Sequence, residues 1–134
     1  MSRPATRPAR PWRRALGGRS RRAGRAAEAI AAAWLMLKGY QILGFRLRTR
    51  AGEIDILARK GAVLAVVEVK RRATLAAAIE SLSGDQRVRL MAAAEGLAAR
   101  RRSLRGLALR LDMVVLAPGR FPRHVRNLII DGRV

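Results

Sequence analysis

Only nine of the 134 residues are acidic, so where they sit carries information. Glu53, Asp55 and Glu68 fall inside two short apolar segments, EIDILAR (Glu53 to Arg59) and VLAVVEVK (Val63 to Lys70), separated by a turn at Lys60-Gly61. Side chains alternate along a strand, so Glu68 and Lys70 share one face while Val67 and Val69 take the other. A hairpin turning at Lys60-Gly61 sets Asp55 opposite or diagonal to Glu68. Two ionised carboxylates that close repel, and a half-buried strand offers little water to relieve them. A divalent cation removes the penalty, and hard oxygen donors of this kind suit Mg²⁺ or Mn²⁺. Such an ion can polarise a phosphodiester, with Lys70 orienting the attacking water or neutralising charge on the phosphate. An isolated ExK tripeptide is commonly just a salt bridge. Here a third charged residue stands thirteen positions upstream across a tight hairpin, which favours a metal-dependent nuclease-type site of Asp55, Glu68 and Lys70.

The elements that must hold these residues follow from periodicity. Ala27, Ile30, Ala31, Trp34 and Leu35 recur at helical spacing between about Arg22 and Lys38, and Gly39 closes that helix. Gln41 to Arg48 reads as a strand, Ala51-Gly52 turns the chain, and the two acidic segments complete a three-stranded meander. A second helical stretch starts near Thr74, with an interruption at Ser83-Gly84 and Asp85 as the expected N-cap, and runs to about Arg101. LALRLDMVVL (Leu107 to Leu116) reads as a buried strand, and Arg123 to Ile130 as a short final one. The order α-β-β-β-α-β-β predicts an α/β fold with a mixed central sheet flanked by helices.

Charge is the strongest bulk signal. The chain holds 29 Lys and Arg against 9 Asp and Glu, a formal +20. A surface this basic attracts polyanions, of which nucleic acid is the commonest. Arg outnumbers Lys 26 to 3, a skew that a biased codon supply would also produce, although such a skew does not explain why acids are scarce. Residues 1–25 carry nine Arg, three Pro and no acid, and are expected to form a disordered basic arm ahead of a domain spanning residues 26–134. With no cysteine, thiolate metal sites and disulfides are excluded and a cytoplasmic location is expected. The longest apolar run, Ile30 to Leu37, falls far short of the ~20 residues of a membrane-spanning helix.

The stretch GEIDILARKGAVLAVVEVKRR (Gly52 to Arg72) resembles the signature of the YraN-like family of small bacterial proteins. GYQILGFRLRTRAGEID before the hairpin, LRLDMVVL after the second helix and HVRNLI near the end extend the likeness over about residues 24–131. That family is similar in fold to the PD-(D/E)xK nucleases, which include restriction endonucleases and archaeal Holliday-junction resolvases. The resemblance implies a restriction endonuclease-like fold and divalent-metal chemistry on DNA. It implies Asp55 and Glu68 as metal ligands, helped by the main-chain carbonyl of Val69, with Lys70 as catalytic lysine and Glu28 as an added carboxylate. Ile54 stands where the wider superfamily has proline, and Gln86 stands where YraN-like sequences usually carry lysine.

Other residues have plainer readings. Glu28 borders the apolar face of its helix and suits a solvated boundary equally well. Glu53 shares a strand face with Asp55 but is more simply a sheet-edge charge. Asp112, inside an apolar strand, is expected to pair with Arg110, and His124, the lone histidine, to be structural. Arg71, Arg72, Arg100, Arg101 and Arg102 are candidate phosphate contacts, although bases at a helix end also answer the helix dipole. Trp34 is expected in the core. The sequence therefore points to a divalent-metal-dependent nuclease acting on DNA, with branched or damaged DNA among its candidate substrates. A nucleic-acid-binding protein of nuclease-like fold that does not cut is the competing reading. The sequence is compatible with either a monomer or a homodimer.

Overall fold

The hairpin predicted to carry the acids is the middle of the sheet. In the computed structural model, which describes residues 11–128 and side chains from residue 24, β1 (Gln41–Arg48), β2 (Glu53–Lys60) and β3 (Val63–Arg71) form an antiparallel meander. β4 (Ala108–Leu116) then pairs in parallel with β3, and β5 (Arg123–Val125) pairs antiparallel with β4, giving five strands in the order β1-β2-β3-β4-β5. A parallel neighbour needs a crossover connection. The chain supplies it with α2 (Leu75–Glu80), α3 (Gly84–Arg100) and a single 3₁₀ turn at Arg102–Leu104. With α1 (Pro11–Leu37) on the opposite face, the result is a mixed sheet between helices, the restriction endonuclease-like fold.

Alternation along the strands sorts the core into two layers. Leu57, Leu64, Val66, Leu111, Met113 and Val115 pack with Ala78, Leu90, Ala93, Ala94 and Leu97 of α2 and α3. Ile56, Ala58, Ala65, Val67 and Val114 pack on Ala31, Ala32 and Leu35 of α1. A sheet covered on both faces reads as near-continuous apolar runs, which is why VLAVV lacks polar alternation. Burial lapses at Glu68, where β3 emerges from between the layers while its neighbours Leu64 to Val67 are fully enclosed.

Several boundaries differ from the expected ones. α1 begins at Pro11, well before the apolar period that starts near Arg22. Arg and Ala favour helix without needing an apolar face, and Pro suits a first helical position. Residues 1–10 of the expected basic arm lie outside the described residues. The second helical stretch is two helices, and the N-cap of α3 is Ser83 rather than Asp85. The Ser83 hydroxyl accepts the Gln86 N–H at 3.1 Å and the Gln86 side chain accepts the Ser83 N–H at 2.9 Å, a reciprocal capping box. Asp85 sits inside the first turn, where its charge answers the helix dipole instead. Ser83→Ala is expected to lower unfolding stability by about 1 kcal/mol in a denaturant titration. The final strand is also shorter than expected, three residues from Arg123 to Val125. Asn127 at φ 58° turns the chain out of line, and its N–H goes to Asp112 rather than to a strand carbonyl. Trp34 is half-buried and stacks on Phe121, with ring centroids 6.0 Å apart.

Candidate metal centre

β2 and β3 pair from Lys60↔Val63 up to Ile56↔Val67, and Asp55 and Glu68 are the next residues along. There a side chain takes over from the ladder. The Val69 N–H donates to Asp55 Oδ2 at 2.9 Å, pinning the carboxylate against β3. A strand residue directs its N–H and its carbonyl to the same side. The Val69 carbonyl therefore faces Asp55, where the resemblance implied a ligand. Glu68 and Lys70 align with Met113 and Val115 of β4, so they share one face, and Lys70 Nζ lies 3.2 Å from Glu68 Oε2. The sheet thus brings together the three residues that the sequence singled out.

Two recesses meet at this acid pair. One, about 450 Å³, is bounded by Glu28 of α1 together with Asp55, Glu68, Lys70, Arg71 and Arg72. The other, about 170 Å³, opens toward α3 and adds Gln86 and Arg89 to Asp55 and Glu68. Burial and the neighbouring Glu68 charge push the Asp55 carboxyl up to about 7, with Glu28 adding to the rise. The Val69 N–H and Lys70 act in the opposite direction and do not overcome it. Ionising Asp55 is therefore unfavourable in the metal-free protein, chiefly because the group is buried and secondarily because Glu68 stands beside it.

The donor set fits a hard divalent cation. Asp55 and Glu68 could offer carboxylate oxygens and Val69 its carbonyl. Among the described residues no three His, Cys, Asp or Glu side chains converge, so protein carboxylates fill only part of a coordination shell. Mg²⁺ characteristically keeps several waters and uses one or two carboxylates, in keeping with this set. Binding must displace the Asp55 proton. Mn²⁺ affinity measured by calorimetry is therefore expected to fall about tenfold per pH unit below about pH 7; a flat profile would contradict the assigned ligand.

The remaining candidates divide. Glu28 is buried against the cleft and ion-paired with Arg46 of β1, which adopts a left-handed φ of 47°. It contributes its field to Asp55 while its carboxylate is engaged. Glu53 is exposed and pairs with Arg48 at 3.5 Å, the sheet-edge role. Gln86, at the position where a lysine was expected, lines the smaller recess while capping α3. Arg71 and Arg72 border the larger recess, but Arg100, Arg101 and Arg102 do not. They lie at the far end of the 17-residue α3, ~25 Å from its cleft-side start, and on the 3₁₀ turn. The sequence could not separate these two arginine groups, because only the direction of α3 places one near the acids. An apolar groove with Ile30, Leu116 and Pro118 adjoins the cleft and shares Ala27, Arg71 and Arg72 with it.

A second polar cluster went largely unforeseen. Asp112 is fully buried on the α1 face, level with Val67. It accepts from Arg110 at 2.8 and 2.7 Å, from the Asn127 N–H at 3.0 Å and shares a proton with His124 Nε2 at 2.8 Å. The expected Arg110 pairing is present, but it is one of several. Burial raises the Asp112 pKa, yet the His124, Arg110 and Asn127 hydrogen bonds outweigh it and hold the group below its usual value. His124 is itself enclosed, edge-on to Tyr40, and its Nδ1 meets Lys38 Nζ at 2.7 Å. An acid at the centre of an apolar strand was the available signal.

The sequence pattern of the uncharacterised protein family UPF0102 matches residues 27–116, two thirds of the chain and the whole meander and crossover. The chain belongs to the UPF0102 family. A UPF0102 protein of Caulobacter sp. is 54% identical over 127 residues, covering 92% of this chain and 91% of that one. One from Caulobacter vibrioides is 57% identical over 113 residues, covering 84% and 90%. One from Maricaulis maris is 50% identical over 109 residues, covering 81% and 86%. UPF0102 is the YraN-like family to which the Gly52 to Arg72 signature pointed. In this UPF0102 chain the matched segment contains Glu28, Asp55, Glu68 and Lys70, while His124 lies beyond it.

Proposed function

We propose that this protein is a divalent-metal-dependent nuclease acting on DNA. The observation that carries the reading is the Asp55–Glu68 pair beside Lys70, held at the end of the β2–β3 ladder where burial and the neighbouring carboxylate disfavour an ionised Asp55. Asp55 and Glu68 would hold Mg²⁺ or Mn²⁺ with the Val69 carbonyl, and the ion would supply Lewis-acid polarisation of a phosphodiester. Lys70, 3.2 Å from Glu68, places a positive charge where negative charge develops on the phosphate. The Val69 N–H fixes the rotamer of Asp55, so the ligand is oriented before substrate arrives. Arg71 and Arg72 at the cleft rim would grip flanking phosphates, and the net charge of +20 would draw the polyanion in.

The test is cleavage of linear, single-stranded and branched DNA with Mg²⁺ or Mn²⁺, against an EDTA control. Lys70→Ala is expected to lower the rate by roughly 10²-fold or more while binding persists. Arg72→Ala is expected to weaken binding to all sequences alike and to reduce the salt slope by about one. Steeply salt-dependent binding with no cleavage of any substrate would favour a binding protein of the same fold. Absence of salt-dependent binding would rule out both.

A further inference from the structure

The chain writes its basic residues as Arg 26 times and as Lys only at 38, 60 and 70. The three lysines therefore stand out chemically from the other bases. Arginine does not deprotonate in proteins, whereas a lysine can lose its proton and act as a nucleophile. Lys70 belongs to the candidate metal centre. Lys38 and Lys60 stand together elsewhere, around Tyr40 on the α1 face of the sheet.

Lys38 is held as few surface lysines are. Its backbone is fixed in the turn that closes α1, where its N–H and that of Tyr40 both bond the Leu35 carbonyl at 3.0 Å. Its Nζ meets His124 Nδ1 at 2.7 Å. An ammonium only donates, so Nδ1 accepts and the ring proton sits on Nε2, aimed at Asp112 Oδ2 at 2.8 Å. Asp112 is fully buried and fixed in turn by Arg110 and the Asn127 N–H. Amine, imidazole and carboxylate therefore stand in line, the arrangement in which a base oriented by an acid activates a nucleophile.

We propose that Lys38 is a nucleophilic amine, with His124 as its base and Asp112 as positioning residue, that condenses with the aldehyde of a phosphate-bearing sugar. The surroundings define that class. Lys60, Arg110 and Arg126 bring positive charge to Lys38, and among the described residues the Asp112 carboxylate opposes them. Tyr40 lies between, its ring under Lys60 and Arg110. Burial first, then Arg126 and Lys60, lower the Lys38 pKa, which raises the fraction of free amine. The same cations would hold the phosphate of the substrate.

The step balances without an outside redox partner. Lys38 gives a proton to His124 Nδ1, and its nitrogen pair attacks the aldehyde carbon to form a C–N bond and a carbinolamine. His124 returns the proton to the carbinolamine hydroxyl, which leaves as water while nitrogen forms the C=N⁺ bond. The net change is ammonium plus aldehyde to iminium plus water. The Asp112 carboxylate stabilises the transient imidazolium.

The full chain in EDTA would be incubated with sodium cyanoborohydride, which reduces an iminium irreversibly to an amine. One arm would contain an abasic oligonucleotide, the other glyceraldehyde 3-phosphate, and adducts would be mapped by peptide mass spectrometry. Expected is trapping at Lys38 at least about tenfold faster than at Lys60, Lys70 or the N-terminal amine, and its loss in Lys38→Arg. His124→Gln should slow trapping by roughly 10²-fold, and Asp112→Asn, by removing the anion that holds the Lys38 ammonium charged, should move its pH midpoint downward, a change that loss of packing alone would not cause. Preferential trapping by the oligonucleotide alone would identify a nucleic-acid substrate, and by the sugar phosphate a small one. Adducts spread evenly over the amines in both arms, or unchanged at the other amines with no Lys38 excess, would overturn the proposal. Because metal is absent, the outcome is independent of cleavage at Asp55.

Discussion

Asp55→Asn is expected to abolish Mn²⁺ binding and DNA cleavage while making the metal-free protein more stable at alkaline pH. The two effects share one cause. Burial and Glu68 raise the Asp55 pKa from 3.8 to about 7. A carboxyl whose pKa is higher folded than unfolded stabilises the fold only while protonated. Its contribution is complete below about pH 4 and is lost as pH rises through about 7. At pH 8 without metal, the wild-type protein carries an ionised Asp55 beside Glu68. The amide removes that repulsion and its oxygen can still accept the Val69 N–H. Allowing for partial exposure of the group, the gain is on the order of 2 kcal/mol. Urea unfolding in EDTA at about pH 8 and about pH 4 measures it: the variant should win at the higher pH and lose its advantage at the lower. Equal stability at both would mean that Asp55 is not strained by its neighbours. Cleavage that survives in Asp55→Asn would remove it from the proposed centre.

Asp112→Ala should produce the largest loss of stability among single polar substitutions, about 3–5 kcal/mol. Asp112 is fully buried and is the common acceptor for Arg110, His124 and the Asn127 N–H. Truncation leaves a guanidinium, an imidazole and a backbone donor without their partner, and the donors cost more unpaired than the hydrogen bonds were worth. The sign with pH is opposite to that of Asp55. The folded pKa of Asp112 is depressed, so its contribution is present above the unfolded value near 3.8 and is lost as pH falls through the lower folded one. Denaturant titration near neutral pH and again in acid checks it: the gap between wild type and variant should narrow on acidification. A loss near that of an exposed pair, below about 1 kcal/mol, would show the cluster to be loosely held.

Much of the candidate centre was legible before the fold. Asp55, Glu68 and Lys70 lie within one hairpin, and the pleat and the turn at Lys60-Gly61 are local properties that fix which of their side chains can meet. The same locality made the meander, α1 and β4 readable from periodicity. The fine boundaries were not. Ser83 outcompetes Asp85 as cap because Gln86 completes the reciprocal pair three residues on, and the short β5 is cut by Asn127 turning toward Asp112.

What sequence alone determined here is the local chemistry: a basic chain with two acids and a lysine on adjoining strands, and a family to which that pattern belongs. What only the tertiary structure decided is which distant groups share a place. The direction of α3 brings Gln86 and Arg89 to the acids and carries Arg100 to Arg102 away from them. Arg46 reaches Glu28 across eighteen residues, and Lys38 reaches His124 across eighty-six. Contacts of that span depend on how two core layers close over a common sheet, which no local period encodes. The raised pKa of Asp55 is of the same kind, since desolvation belongs to the packed protein rather than to the hairpin.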